Sequence, residues 1–153
     1  MKTDEDKIVK VVELEAPVSR VWRALTDHEE FGQWFRVKLD QPFEPGEEST
    51  GSMTYPGFEG WPWLATVERM EHEKLFSFRW HDYEKDSERD IADHPTMLVE
   101  FRLEPNAGGT RLTITESGIS ALPEPRRLEV LRNNTQGWDI QANNIAAHVS
   151  STA

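Results

Sequence analysis

Glu116 is the residue best placed to do acid–base chemistry. It ends the run "LTITES", in which Leu112 and Ile114 alternate with threonines. A strand there turns Glu116 toward the same face as the two aliphatic residues. If that face is covered by an apolar cavity, desolvation raises the carboxyl pKa, and the group suits a general acid, a general base or a polar ligand anchor. If the strand has already reached solvent, the carboxylate is simply wet. Asn134, Gln141 and His148 recur at seven-residue steps and form one polar shoulder of a helix. That shoulder either hydrogen-bonds a ligand or faces water or a second subunit. The aromatic set Trp34, Phe35, Trp61, Trp63, Phe76, Phe78, Trp80 and Trp138 reads mostly as core. Trp61 and Trp63 differ, because they sit in the Gly/Pro-rich stretch "PGFEGWPW" and are expected to gate a cavity.

Other chemistries find no matching pattern. With no cysteine, disulfides, thiolate metal sites and cysteine nucleophiles are excluded. The five histidines, at positions 28, 72, 81, 94 and 148, lack the spacing of a local metal site. The pairs His81-Asp82 and Asp93-His94 are expected at the surface, on or near the charged segment "DYEKDSERDIADHP". That segment lacks the Asp/Asn/Gly spacing of a calcium loop. No Gly-x-Ser-x-Gly elbow occurs, and "NAGGT" joins two strands where a phosphate loop would open a helix. No metal and no cofactor are expected.

Length and charge bound the rest. A chain of 153 residues with 37% hydrophobic residues and six tryptophans suits one globular domain with a real core, here 7–150 after a disordered tail at 1–6. The formal charge of −11 argues against nucleic acid and against docking on anionic membranes. "MKTDED" is not a signal peptide, and no apolar run is long enough to span a bilayer. The expectation is a soluble cytoplasmic protein.

The elements that must position these residues follow from periodicity. "KIVKVVELEA" is a β-branched first strand. After Pro17, with Ser19 as a candidate N-cap or a start slightly earlier set by Pro17, Val18, Val21, Trp22 and Leu25 recur at helical spacing to about Asp27. A second short helix covers Glu29 to Trp34. A turn at Pro45-Gly46 leads into a strand, and "LATVERME" and "KLFSFRWHD" alternate. The latter puts Phe76, Phe78 and Trp80 opposite Ser77, Arg79 and His81. "TMLVEFRLEP" places Met97, Val99, Phe101 and Leu103 on one face, followed by a hairpin turn at "NAGG". This alternation describes an antiparallel sheet covered on one side. Its cover is a helix from about Pro125, with a stripe of Leu128, Leu131, Thr135, Trp138, Ala142, Ile145 and Val149 at alternating steps of three and four. Gly137, mid-helix, marks a kink or a close contact. The fold class is α+β, a helix-grip arrangement of a curved antiparallel sheet around a long C-terminal helix.

Three blocks in order resemble a known family. "VSRVWRALTDHEEFGQWF", "TMLVEFRLEPNAGGTRLTITESGI" and "GWDIQANNI" are similar to the signatures of the activator of heat-shock-protein-90 ATPase homologue family, over roughly Lys7 to His148. The resemblance implies a START-like fold, in which a sheet wraps a final helix and encloses an apolar cavity. Members of that superfamily include lipid carriers, polyketide cyclases and hormone receptors. Two departures stand out: Glu116 replaces a histidine common at that point, and Asp139 and Gln141 replace apolar residues after the Gly-Trp. The implied activity is non-catalytic binding of a small apolar or amphipathic ligand, with Trp34, Phe35, Trp61, Trp63, Phe78, Trp80, Glu116, Asn134, Trp138 and Gln141 at the site. The alternatives are a cyclase- or hydrolase-type enzyme using Glu116, or a chaperone-interacting module. The resemblance also leaves room for a homodimer.

Overall fold

A computed structural model describes residues 6–81 and 93–151. The chain runs through β1 (Lys7–Leu14), α1 (Val18–Thr26), α2 (His28–Phe35), β2 (Val37–Leu39), β3 (Glu48–Met53), β4 (Pro62–Glu71), β5 (Leu75–His81), β6 (Thr96–Asn106), β7 (Gly109–Ser117), a 3-10 turn (Ile119–Ala121) and α3 (Glu124–Ser151). One antiparallel sheet holds all seven strands in the order β1-β7-β6-β5-β4-β3-β2. The chain thus meanders from β2 to β7 and closes with β1 beside β7. A register shift between Val67 and Arg69 disturbs the β4–β5 ladder. This is the expected helix-grip architecture.

The inner face of the sheet follows the alternation. Ile8, Leu14, Val67, Phe78, Met97, Val99, Phe101, Leu103, Leu112 and Ile114 are all buried. Ser77 departs from it, being 3% exposed although it sits on the polar side. Its cross-strand neighbours are Arg69 and Glu100, whose long side chains shade a short one in a central strand.

The helices end on identifiable devices. Of the two starts offered for α1, the earlier one holds: Pro17 is its N-cap, without any side-chain cap bond; its fixed φ starts the helix and its carbonyl accepts from Arg20 N and Val21 N. Asp27 caps α2, its carboxylate accepting from Glu29 N and Glu30 N. Arg36 then ends α2 in the left-handed conformation, at φ 70°. Gly32 is required in α2 because a Cβ there would lie 2.4 Å from the Val37 carbonyl oxygen.

Along α3 the C-terminal half of the stripe falls where the spacing put it, with Trp138, Ala142, Ile145 and Val149 buried. The N-terminal half does so only at Leu131, which is half-buried against the core. Leu128 is 51% exposed and Thr135 is exposed, whereas Val130 is buried and Asn134 half-buried. The inward face there carries a polar residue, so the apolar stripe picked the wrong register. Gly137 makes no close contact, since a Cβ would meet nothing within 4 Å. The tail expected at 1–6 lies outside the described residues except for Asp6, which is tied down: its carboxylate accepts from Ser120 Oγ and from the Ser120 amide. Those bonds hold the Asp6 carboxyl below its usual range, against a smaller upward push from burial.

Candidate functional site

Three elements converge on Glu116. Strand β7 is paired on both sides at this point, with Ile8 of β1 and Val99 of β6 opposite it, so the strand has not reached the rim. Glu116 is 0% exposed, a burial rare for a carboxylate unless it is hydrogen-bonded. Trp138 Nε1 of α3 donates to Oε1 at 2.9 Å, and Trp80 Nε1 of β5 donates to Oε2 at 2.9 Å. Asn134 Nδ2 donates to both oxygens at 3.1 Å. An indole N–H can only donate, so these contacts match an ionised carboxylate. They clasp α3 to the sheet through one side chain.

Rings surround the clasp. The Trp80 and Trp138 indoles stack at 5.6 Å with 23° between planes. Phe35 meets Trp138 at 6.3 Å and Trp80 at 6.1 Å, and Phe101 meets Trp138 edge-on at 6.0 Å. Trp63 and Phe78 complete the wall beside Trp80, at 5.8 Å each. Sheet and helix thus meet through aromatic side chains, with one charged group among them.

A second polar set joins the three helices. Gln141, 8% exposed, donates from Nε2 to the Phe35 carbonyl at 2.9 Å, and Asn144 Nδ2 donates to Gln141 Oε1. Trp34 Nε1 donates to the Ala24 carbonyl at 2.8 Å, fastening α2 to α1. Glu30 accepts from Arg20 Nη1 at 2.7 Å, from Arg23 Nε at 2.8 Å and lies 2.9 Å from His148 Nε2. Burial pushes the Glu30 carboxyl upward, but the His148 and Arg20 hydrogen bonds and the charges of Arg20 and Arg23 outweigh it and hold the group below its usual range.

The expected site residues divide. Phe35, Phe78, Trp80, Glu116, Asn134 and Trp138 form one connected set. Gln141 touches it through the Phe35 backbone, and Trp34 borders it edge-on to Phe35 at 5.7 Å. Trp63 is not in the loop: it lies in β4, is buried, and donates from Nε1 to Ser49 Oγ at 3.0 Å. Its β-strand neighbours were hidden by Pro62, which opens an element that the Gly/Pro composition had disguised. Trp61 stays in the loop, half-buried and edge-on to Phe58 at 4.8 Å. His94 departs from its expected surface position. It is 3% exposed, and neither ring nitrogen has a hydrogen-bond partner among the described residues, while its carbonyl lies 2.9 Å from His81 Nδ1. The only sequence signal for that burial is Pro95-Thr96 just beyond, where the chain re-enters the sheet. Asp82 and most of the charged segment lie outside the described residues.

This geometry can be compared with known proteins. Residues 15–150 match the family described as Activator of Hsp90 ATPase homolog 1-like protein. The chain belongs to this family. The same fold recurs in solved bacterial structures. A Mesorhizobium loti protein is 22% identical, with a TM-score of 0.78 over 96% of this chain and 98% of that one. A Nitrosomonas europaea protein is also 22% identical, with a TM-score of 0.74 over 99% and 98%. An Arthrobacter aurescens protein, solved by NMR, reaches 0.80 at 18% identity over 98% and 90%. No curated protein matches by sequence. At these identities the likeness is one of fold alone. Among the described residues no helix is long and apolar enough to cross a membrane.

Proposed function

We propose that the region between the sheet and α3 binds a small apolar or amphipathic molecule without turning it over. The observation that carries this reading is the burial of Glu116 among aromatic rings. A core built only for stability is served as well or better by an apolar side chain at such a position. Rings supply apolar area, worth roughly 25 cal/mol per Å² removed from water, and the carboxylate supplies a directional acceptor. A ligand carrying a hydroxyl or amine donor would replace the Asn134 or Trp80 N–H on Glu116 and lay its apolar body against Phe35, Trp80 and Trp138. Because these rings touch one another, binding requires the stacked Trp80–Trp138 pair to separate. The site is therefore selected from a minor open population, which lowers apparent affinity by the open fraction.

Native mass spectrometry of the protein purified from cells, set beside its denatured mass, tests the proposal. A retained small molecule, together with quenching of tryptophan fluorescence on adding an apolar dye, is the expected result. An empty protein that takes up no dye overturns it.

A further inference from the structure

The open side of α2 and α3 carries a concavity that shares only Trp34 with the residues expected at the interior site. It is a groove of about 240 Å³ lined by Gln33, Trp34, Arg36, Asn144, Ala147 and His148. We propose that this groove binds the oxyanion of a small soluble molecule, with Arg36 as its principal anchor.

Charge is the first argument. The chain has a formal charge of −11, yet no carboxylate lines this groove. The acid closest to it in the hydrogen-bond network, Glu30, is engaged by Arg20, Arg23 and His148. The arginines at 20, 23, 69, 79, 102, 111 and 126 each pair with a carboxylate. Among the described residues the guanidiniums of Arg36 and Arg132 pair with none, and that of Arg36 is exposed at the groove. Its planar fork fits carboxylate or phosphate oxygens with two parallel hydrogen bonds.

Position is the second argument. Arg36 holds the left-handed conformation, uncommon for a residue with a long side chain. Its backbone is fixed on both sides, with its amide donating to the Gly32 carbonyl and its carbonyl accepting from Thr54 N. The base of the side chain is therefore set while its head stays free. Gln33 and Asn144 place amide donors on the facing helices, and Asn144 has a second N–H beyond the one it gives to Gln141. The volume lies below the range of drug-sized sites, which limits the occupant to a head group or a small acid.

The test is an NMR titration of the full chain with inorganic phosphate and, separately, with acetate, following the Gln33 and Asn144 side-chain amides. Saturable shifts confined to these residues and the His148 ring are expected. Response to phosphate alone assigns a phosphate ester, and response to acetate alone assigns a carboxylic acid. Arg36→Asn retains access to the left-handed conformation and should weaken binding about tenfold or more, the loss expected for a hydrogen bond to a charged group. Ala147→Glu, at an exposed helical position, adds a negative charge and should abolish binding with unfolding midpoint unchanged. Shifts that grow linearly and spread over the surface, or that persist in Ala147→Glu, mean an adventitious ion only and overturn the proposal. Dye uptake by the interior should be unaltered in both variants, so this result stands apart from the binding reading above.

Discussion

Replacing Glu116 by Gln changes one atom of the clasp and leaves its shape. In the native protein Oε1 accepts from Trp138 and Oε2 from Trp80. An amide offers one oxygen and one NH2, so whichever way it turns, an indole N–H faces a donor. Trp138 is 2% exposed and cannot turn to water, so the amide oxygen should keep Trp138 and leave half-buried Trp80 unpaired. A buried donor left without a partner costs about 1–3 kcal/mol. Against this, a buried charge has been removed, and its desolvation no longer opposes folding. The donors dominate because there are three of them on one group, all oriented for the ionised form. Glu116→Gln should destabilise by about 2 kcal/mol, equivalent to about 4–8 °C in Tm for a domain of this size. Urea unfolding followed by tryptophan fluorescence measures it, with an unchanged m-value expected. A double-mutant cycle with Trp80→Phe isolates the contact that the amide loses, since phenylalanine keeps an aromatic ring and drops the donor; its coupling should exceed about 1 kcal/mol. Coupling within about 0.3 kcal/mol of zero, or a Glu116→Gln protein as stable as wild type, would refute the clasp as a folding contact.

Two glycine substitutions should act in opposite directions although both lie in helices. Gly32→Ala forces a Cβ to 2.4 Å from the Val37 carbonyl and should cost about 2 kcal/mol or more, as overpacking typically does, whereas Gly137→Ala meets no atom and should gain about 1 kcal/mol from helix propensity; thermal denaturation of the pair reads both. Gln141→Leu strips the Phe35 carbonyl of its buried partner and should destabilise by about 1–3 kcal/mol, visible as a lower urea midpoint. The Glu30 carboxyl is held below its ordinary value of 4.5, so it contributes stability that is complete above that pH and disappears as pH falls through the depressed folded value. An acid titration monitored by circular dichroism should therefore show less acid-induced loss in Glu30→Gln than in wild type below pH 4.5.

The elements were legible because each imposes a period on its own residues. Met97, Val99, Phe101 and Leu103 alternate in the sequence and are buried in the structure, since strand geometry alone sends every second residue to one face. Strand β2 was not legible: three residues, Val37–Leu39, are too few to show a period. The upper half of α3 misled because Leu128 is apolar and Asn134 polar, whereas their burial is the reverse. Apolar spacing reports a face only when the helix hides its most apolar stripe, and here the inward face was set by Asn134 reaching Glu116. His94 and Trp63 were misplaced for a related reason. Their burial depends on where a loop or a proline-opened strand rejoins the sheet, which neighbouring residue types do not encode.

The candidate site divides along the same line. Sequence parity fixed that Glu116 points with Leu112 and Ile114, and heptad spacing fixed that Asn134 and Gln141 share a helix face. Those are local consequences of strand and helix geometry. Whether that strand end was wet or dry depended on β1 and β6 flanking it and on α3 crossing above, contacts between residues up to 108 positions apart (Ile8 and Glu116). Only the tertiary structure brought Trp80, Trp138 and Asn134 onto one carboxylate, because hydrogen-bond partners from three different elements follow from how those elements pack, which no local period records.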